Sequence, residues 1–305
     1  MHLMTLLDWE ADQIRAVLDL GHELKKRARA GTLEPVLAHK TLALLFEKAS
    51  MRTRVSFEVA MTQLGGHVIY LTKDDVNLGV REPVKDGARV LSRCVDGIAA
   101  RVYDHATVEE LAAYSTVPVI NALSDLHHPC QALADMMTIE ERFREPSKVR
   151  VAFIGDANNV ARSLAIICAK LGLRYTIAVP PAYTFDDAFL SEVRDVASGS
   201  GGAITVVGSP AEAARGADVL YTDVWTSMGQ EAEAEQRKRD FAGFCVDARL
   251  VALASKRCIV MHDLPAHRGE EITDEVIEGP HSVVFDEAEN RLHAQRALLQ
   301  MLMGG

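Results

Sequence analysis

The sequence has no closely spaced cysteines, no excess of positive charge and no long apolar run. Its five cysteines are scattered, which argues against a disulfide framework or a zinc ribbon and fits a reducing cytoplasm. The formal net charge of −10 excludes the overall basic character typical of nucleic-acid binding. No apolar segment approaches the roughly 20 residues that span a bilayer, and the N-terminus lacks the pattern of a secretion signal. We therefore predict a cytoplasmic protein without nucleic-acid or membrane partners.

Several common cofactor and catalytic motifs are also missing. The turn at Gly155 has one glycine where a dinucleotide site needs G-x-G-x-x-G. There is no Walker A pattern, no G-x-S-x-G elbow and no H-E-x-x-H helix. Cys258 and His262 lie four residues apart and would point to the same face of an apparent strand, but this pair falls short of the ligand count of a metal site. The sequence therefore predicts neither a bound metal ion nor a cofactor.

The composition is that of an ordinary globular protein with room for two domains. Of the 305 residues, 48% are hydrophobic and 25% are charged, and domains usually hold roughly 100–150 residues. Predicted strands and helices alternate on both sides of a linker at residues 144–148, which favours parallel sheets. We predict an α/β fold of two doubly wound domains, each with a central parallel sheet flanked by helices.

The stretch from Ser50 to Arg54 lies where a predicted strand, residues 41–46, gives way to a predicted helix. A helix N-terminus carries free backbone N–H groups and the positive end of the helix dipole. Arginine adds planar, bidentate donors that match phosphate oxygens. The stretch therefore suits a bound phosphate group. The alternative is a solvated basic turn that Ser50 caps.

Further polar residues follow the other predicted strands, where open α/β sheets bind their ligands. In the first half these residues are Arg101, His128 and Gln131. In the second half they are Asn158, Asn159, Asp223, Ser227, Met228 and the segment His262-Asp263-Leu264-Pro265. The first set is cationic and rich in donors, as a phosphorylated anion requires, and the second is acidic and rich in amides, as an amine requires. Together they predict an enzyme with two substrates.

Each of these residues also has a purely local interpretation. His128 precedes Pro129 and could cap the helix that begins there. Asn158 and Asn159 could be ordinary turn residues, and Asp223 could cap a following helix. Local sequence alone leaves these alternatives open.

Four longer segments resemble signatures of the aspartate/ornithine carbamoyltransferase family. Phe46–Arg54 resembles its carbamoyl-phosphate signature, and His128–Gln131 resembles its second signature. Asp223–Glu231 is similar to the loop of the ornithine branch, and Asp286–Arg291 to the start of the last helix. The resemblance covers essentially the whole chain. It implies transfer of a carbamoyl group from carbamoyl phosphate to the δ-amine of L-ornithine, giving L-citrulline and phosphate, as in arginine biosynthesis.

The resemblance also implies domains and roles for matching residues. Residues 1–145 would bind carbamoyl phosphate, residues 146–285 would bind ornithine, and a helix at 286–305 would return to the first domain. The implied carbamoyl-phosphate ligands are Ser50, Met51, Arg52, Thr53, Asn77, Arg101, His128, Gln131 and Arg291. The implied ornithine ligands are Asn159, Asp223, Ser227, Met228, Asp263 and Leu264. The implied catalytic residues are Arg52, Arg101, His128 and Asp263. Family members form trimers, so a homotrimer or a multiple of trimers is expected.

Three positions depart from the family pattern. Asp263 stands where the ornithine branch has cysteine in His-Cys-Leu-Pro. A carboxylate there favours the charged ammonium form of an amine, which leaves open a different amine acceptor or a low-activity, non-catalytic carbamoyl-phosphate-binding protein. Asn77 stands where family members usually have Gln or His. It lies in the predicted polar loop from Thr72 to Pro83, and the resemblance implies that this loop reaches a neighbouring subunit. Arg162 stands where ornithine enzymes often have His.

Overall fold

The computed structural model describes residues 1–227 and 229–304. The chain divides into two compact units. The first unit consists of Met1–Met137 and Glu289–Gly305, and the second consists of Thr138–Ala288. Among the described residues, no helix combines the length and the apolar character that crossing a membrane requires.

The described part of each unit contains one parallel sheet. In the described part of the first unit the strand order is β2-β1-β3-β4, with β1 at Thr41–Phe46, β2 at His67–Thr72, β3 at Gly97–Arg101 and β4 at Val119–Leu123. In the described part of the second unit the order is β7-β6-β5-β8-β9, with β5 at Arg150–Ile154, β6 at Arg174–Ala178, β7 at Ala203–Val207, β8 at Val219–Thr222 and β9 at Ile259–Met261. Central strands such as β3 are buried along their whole length, as parallel strands covered on both faces must be. The predicted doubly wound α/β fold is confirmed.

Helices connect the strands in both units. The helices before the second sheet, the last of which runs on into the second unit, are α1 Ala11–Arg29, α2 Met51–Gln63, α3 Lys73–Val76, α4 Val84–Leu91, α5 His105–Tyr114 and α6 Pro129–Arg142. The later helices are α7 Asn159–Lys170, α8 Asp187–Ser200, α9 Pro210–Ala214, α10 Ala234–Asp240, α11 Ala248–Val251, α12 Asp274–Ile277 and α13 Val284–Met303. Short 3-10 turns lie at Leu6–Asp8, Pro146–Lys148, Pro181–Tyr183 and Glu231–Glu233. The strand–helix alternation produces crossover connections between parallel neighbours.

The C-terminal part of α13 packs against helices of the first unit, as the sequence predicted. Lys25 of α1 donates from Nζ to Asn290 Oδ1 at 2.7 Å. Arg296 is fully buried and donates to the carbonyl oxygen of Leu24 at 3.5 Å and to Gln63 of α2. Buried charged groups need such partners, because desolvation without them is costly. The part of α13 from Glu289 onward is therefore an integral part of the first unit.

The order of the strands decides which loops meet at the carboxyl edge of each sheet. In the first sheet β1 and β3 are neighbours, and Phe46 pairs with Arg101 in the register. In the second sheet β5, β8 and β9 are consecutive neighbours. Residues that follow these strands are therefore brought together, although they lie far apart in the sequence.

Candidate functional site

The N-terminus of α2 is built by Ser50 and Thr53. Ser50 is the N-cap of the helix, and its Oγ accepts a hydrogen bond from the backbone N–H of Thr53 at 3.3 Å. The same Oγ donates to Thr53 Oγ1 at 3.0 Å, and Thr53 is fully buried. Met51 begins the helix, and its side chain is 71% exposed. Ser50 is thus a true helix cap, and its turn also presents the helix N-terminus to which anions bind.

The two arginines of this stretch have different environments. Arg54 is exposed, donates from Nε to Glu58 Oε1 at 2.7 Å and lies 3.7 Å above the centre of the Tyr70 ring. Arg52 is half-buried, and its charge acts on His128. Arg52 therefore belongs to a charged cluster with His128, whereas Arg54 makes surface contacts.

Three arginines surround a buried histidine in the first unit. Arg101 ends β3, and Arg291 of α13 donates from Nη2 to Thr53 Oγ1 at 2.5 Å. Both guanidinium groups are buried. Burial, followed by the charges of Arg291, Arg101 and Arg52, lowers the pKa of His128 well below its usual value. His128 is therefore a neutral imidazole at neutral pH, able to donate one N–H within a strongly cationic cluster.

Residues of α6 complete this half of the site. Gln131 is fully buried, and its Nε2 donates to Asp135 Oδ1 at 2.8 Å, one turn along the helix. Asp135 was not among the predicted site residues, although its i+4 spacing from Gln131 is a usable signal in the sequence. Burial raises the pKa of the Cys130 thiol to about 12. Cys130 therefore stays protonated and does not supply a thiolate nucleophile.

The loop predicted to reach a neighbouring subunit follows a short helix. The sequence predicted only a polar loop from Thr72 to Pro83, whereas Thr72 is the N-cap of α3. Its backbone N–H and its hydroxyl group both donate to Asp75 Oδ2 in a capping box. Asn77 ends this helix in the left-handed region, with φ at 45°. Leu78 is buried against Gly87, so the loop is anchored within the first unit. The contact of Asn77 with carbamoyl phosphate stays a prediction.

In the second unit, Asn158 links a helix N-terminus to Asp223. Its Oδ1 accepts hydrogen bonds from the backbone N–H groups of Val160 and Ala161, both at 3.0 Å, which makes it the N-cap of α7. Its Nδ2 donates to Asp223 Oδ2 at 2.7 Å. Asn159 is the first residue of α7. Asn158 therefore has both the local turn role and a direct contact with the predicted amine-binding carboxylate.

Asp223 lies in an acidic cluster with Asp263. Side-chain atoms of Asp223, Asp263 and His262 lie within 4.8 Å of one another. Asp223 Oδ1 also accepts from the backbone N–H of Val224 at 2.7 Å, and the N-cap of the next α-helix, α10, is Glu233 rather than Asp223. Burial, together with the nearby charge of Asp263, raises the pKa of Asp223 well above its usual value. The position of Asp263 thus alters the charge of the predicted amine site.

Hydrogen bonds fix the backbone that carries Asp263. The backbone N–H of Leu264, which has φ at 59°, donates to His262 Nδ1 at 2.9 Å. His262 Nε2 faces Glu271 Oε1 at 3.1 Å, and the backbone N–H of His262 donates to Glu287 Oε2 at 2.9 Å. Because both ring nitrogens are engaged, His262 offers no lone pair to a metal ion. Glu271 and Glu287 were not among the predicted site residues, because they are distant from His262 in the sequence.

Arg237 anchors the loop that carries Ser227. It is buried, and its Nη1 donates to Asp156 Oδ2 at 2.7 Å and to the carbonyl oxygen of Trp225 at 3.0 Å. Its Nε donates to Glu233 Oε2 at 3.0 Å. Arg237 was not among the predicted site residues, because nothing in its local sequence distinguishes it from neighbouring charged residues. The predicted ligand Met228 of this loop lies outside the described residues.

Arg237→Ala is expected to raise KM for the amine substrate at least tenfold while KM for the phosphorylated substrate changes less than twofold. The variant loses charge-assisted hydrogen bonds, each worth about 1.5–3 kcal/mol, that hold the loop. Steady-state kinetics with each substrate varied in turn measure this split. Arg237→Lys should restore part of the affinity, and Arg239→Ala, an exposed position on α10, should behave as wild type. Equal increases in both KM values would contradict the positioning role.

Comparisons with known proteins give the family. The carbamoyl-P binding domain of aspartate/ornithine carbamoyltransferases matches residues 1–141, and the Asp/Orn binding domain of these enzymes matches residues 147–302. The chain belongs to the aspartate/ornithine carbamoyltransferase family. It is 52% identical over 303 residues to the anabolic ornithine carbamoyltransferase of Pyrococcus furiosus, covering 99% of this chain and 96% of that protein.

Solved structures of family members agree closely with this fold. The ornithine carbamoyltransferase structure from Pyrococcus furiosus gives a TM-score of 0.97 and covers 100% of this chain and 97% of that chain. The anabolic ornithine carbamoyltransferase from Campylobacter jejuni is 42% identical, with a TM-score of 0.94, and covers 99% of this chain and 98% of that chain. These similarities confirm the resemblance noted in the signature segments.

One of the departures from the aspartate/ornithine carbamoyltransferase pattern has a clear structural role. Arg162 of α7 donates from Nη2 to Asp186 Oδ2 at 2.6 Å. Its guanidinium carbon lies 4.0 Å from the centre of the Phe189 ring. Arg162 therefore ties α7 to the start of α8 through an ion pair and a cation–π contact.

Proposed function

We propose that this protein transfers the carbamoyl group of carbamoyl phosphate to the δ-amine of L-ornithine, giving L-citrulline and phosphate. The observation that carries the proposal is similarity over 99% of the chain, at 52% identity, to an anabolic ornithine carbamoyltransferase. The reaction is a carbamoyl transfer that serves arginine biosynthesis, as the anabolic relatives indicate. We place the protein in the cytoplasm.

Carbamoyl phosphate is bound by the domain predicted at residues 1–145. The phosphate lies at the N-terminus of α2, where the hydroxyl group of Thr53 and the backbone N–H groups of the helix start, including that of Ser50, donate to it. The guanidinium groups of Arg52 and Arg101 neutralise its charge, and Met51 contributes its backbone. Gln131, held by Asp135, contacts the carbamoyl group.

Residues of the first unit also stabilise the charges that develop during transfer. As the amine attacks the carbamoyl carbon, negative charge grows on the carbonyl oxygen and then on the phosphate as its bond to that carbon breaks, and the phosphate takes up the proton that the amine loses. His128, neutral because burial and the neighbouring arginines lower its pKa, donates a hydrogen bond to that oxygen. Arg101 and Arg291 add positive charge. One such preorganised donor contributes about 3–4 kcal/mol of transition-state stabilisation.

Ornithine is bound by the domain predicted at residues 146–285. Asp223 and Ser227 hold its α-ammonium group, and Asn159, with the backbone of Met228, holds its carboxylate. Asp263 and Leu264 lie beside the δ-amine, which attacks in its neutral form. The segment at residues 286–305 carries Arg291 back to the first domain.

We also propose that the active protein is a homotrimer or a multiple of trimers. The loop Asn77-Leu78-Gly79 of one subunit then contacts the phosphate bound by another. Leu78 anchors the loop in its own unit, while Val80 beyond it is 79% exposed. An exposed apolar side chain next to an anchored loop suits burial against a second copy of the chain.

A citrulline assay tests the proposed function. Purified protein incubated with carbamoyl phosphate and L-ornithine at millimolar concentrations is expected to produce L-citrulline, and a reaction without protein measures the background. A parallel panel of L-lysine and putrescine tests the acceptor, because Asp263 could suit another amine. L-Ornithine should be the best substrate. No citrulline above background would contradict the proposal, and a better rate with another amine would change the acceptor.

A further inference from the structure

A buried carboxylate and a buried imidazole lie next to the predicted amine site. Glu271 and His262 are both fully buried, and Glu271 Oε1 faces His262 Nε2 at 3.1 Å. The same oxygen accepts a hydrogen bond from the backbone N–H of His267 at 2.5 Å. His262 follows β9 and directly precedes Asp263 and Leu264, the predicted neighbours of the δ-amine. Glu271 therefore contacts the segment that carries these two residues.

The second ring nitrogen of His262 decides where its proton lies. The backbone N–H of Leu264 donates to Nδ1 at 2.9 Å. A ring nitrogen that accepts a hydrogen bond carries a lone pair and no proton, so the proton of the neutral ring lies on Nε2. A protonated imidazolium has no lone pair and does not fit this contact. Nε2–H therefore donates to Glu271 Oε1.

The backbone of Leu264 depends on this acceptor. Its φ of 59° lies in the left-handed region, which residues other than glycine rarely adopt. The hydrogen bond to His262 Nδ1 offsets part of the cost of this conformation. Because Asp263 and Leu264 are consecutive, a change in the Leu264 backbone would also redirect the side chain of Asp263.

A competing position for the proton exists on the other side of the ring. Asp263 Oδ1 lies 3.6 Å from His262 Nδ1. A proton on Nδ1 would be attracted to this carboxylate, but it would take the place of the lone pair to which the Leu264 N–H donates. The hydrogen bond at one ring nitrogen sets the protonation of the other. Glu271, as the acceptor at Nε2, therefore opposes the competing arrangement.

We propose that Glu271 is a positioning residue for the amine substrate, and that it acts by holding the proton of His262 on Nε2. Nδ1 then retains its hydrogen bond from the Leu264 N–H, and Asp263 and Leu264 stay aligned beside the δ-amine. The effect on ornithine rests on the function proposed above, whereas the position of the proton does not.

Heteronuclear NMR of protein labelled at the histidine ring nitrogens tests the position of the proton. The signals of His262 are assigned by their loss in His262→Asn. In the wild type, Nε2 should be protonated and Nδ1 should not. In Glu271→Leu, protonation of Nδ1 should increase. A protonated Nδ1 in the wild type, or an unchanged pattern in Glu271→Leu, would overturn the proposal.

Steady-state kinetics measure the consequence for the substrates. Glu271→Leu is expected to raise KM for L-ornithine about tenfold, the effect of losing one buried hydrogen bond. KM for carbamoyl phosphate should change little, because the predicted residues for that substrate belong to the first unit. Glu271→Gln keeps an acceptor oxygen and should restore most of the affinity for ornithine. Equal increases in both KM values, or no recovery in Glu271→Gln, would contradict the positioning role.

His262→Asn tests whether Glu271 acts through the imidazole. An asparagine amide oxygen can accept the Leu264 N–H without any choice between two protonated ring nitrogens. Glu271→Leu should therefore raise KM for ornithine in the wild-type background but add little in the His262→Asn background. An equal increase of KM in both backgrounds would contradict action through the imidazole.

Asp218→Asn is the matched control for a simple loss of stability. Asp218 is a buried carboxylate of the same unit that precedes β8 and accepts hydrogen bonds from Ser255 and Arg257. This variant should unfold more easily, while KM for ornithine and the His262 signals stay as in the wild type. An equal rise of KM in Asp218→Asn would overturn the positioning role. Wild-type protein with the proton on Nε2 but without citrulline formation would instead contradict the proposed function.

Discussion

Arg52→Met is expected to lower kcat/KM for carbamoyl phosphate about 10³-fold, the effect of losing one well-placed donor to a developing negative charge. Arg52 lies in the first turn of α2, half-buried, and its charge reaches His128. The variant removes a positive charge from the phosphate and from the transition state. Initial rates of citrulline formation at varied carbamoyl phosphate measure the effect.

Arg54→Met is the matched control for this variant. Arg54 lies two residues further along α2 but pairs with Glu58 and stacks on Tyr70 at the surface. Its kcat/KM should stay within about threefold of wild type, because exposed ion pairs contribute at most about 1 kcal/mol. Similar decreases of kcat/KM in both variants would show that only the total positive charge of the segment matters. That result would contradict the placement of the phosphate beside Arg52.

His128→Leu is expected to lower kcat about 10²-fold with little change in KM for ornithine, because it removes a hydrogen-bond donor to the developing oxyanion. The pKa of His128 lies well below its usual value, so the imidazole stays neutral and its donor stays in place between pH 6 and 8. The matched control is His105→Leu, a buried histidine of the same unit bonded to Ser124, which should keep its kcat within a few-fold. An unchanged kcat in His128→Leu would contradict the donor role.

The same pKa shift predicts a pH dependence of stability. In the unfolded chain His128 takes up a proton near its ordinary pKa of about 6.5, whereas in the folded protein it stays neutral. The unfolded state therefore binds more protons below that pH, and the free energy of unfolding decreases as the pH falls. Denaturant unfolding is measured at pH 7.5 and at pH 5.5. Between these two values the free energy of unfolding should decrease more for the wild type than for His128→Leu. Equal losses would contradict a buried neutral histidine.

Much of the fold could be predicted from local sequence patterns. Apolar runs such as Thr41–Phe46 matched the strands, because strands of a parallel sheet are buried on both faces. The predicted loop after Thr72 contained the short helix α3, whose four residues carry too little periodic signal to be recognised. Helix ends were less certain, since capping depends on single side chains.

The candidate site could be predicted where a residue belongs to a continuous motif. The segment around Ser50 and the segment beginning at His128 were found in this way. Arg237, Glu271 and Glu287 were missed, because each acts through partners distant in the sequence. Ordinary charged residues of helices and loops give no local sign of such contacts.

The sequence by itself determined the alternating α/β pattern, the phosphate-binding segment at the start of α2 and the departure at Asp263. These features depend on residue type and short spacing, which a linear sequence contains. Only the tertiary structure decided that Arg52 joins His128 while Arg54 pairs at the surface. It also decided that Asp223 and Asp263 lie within 4.8 Å. Strand order brings β8 and β9 together, and the interaction of two charges depends on distance and burial rather than on sequence separation.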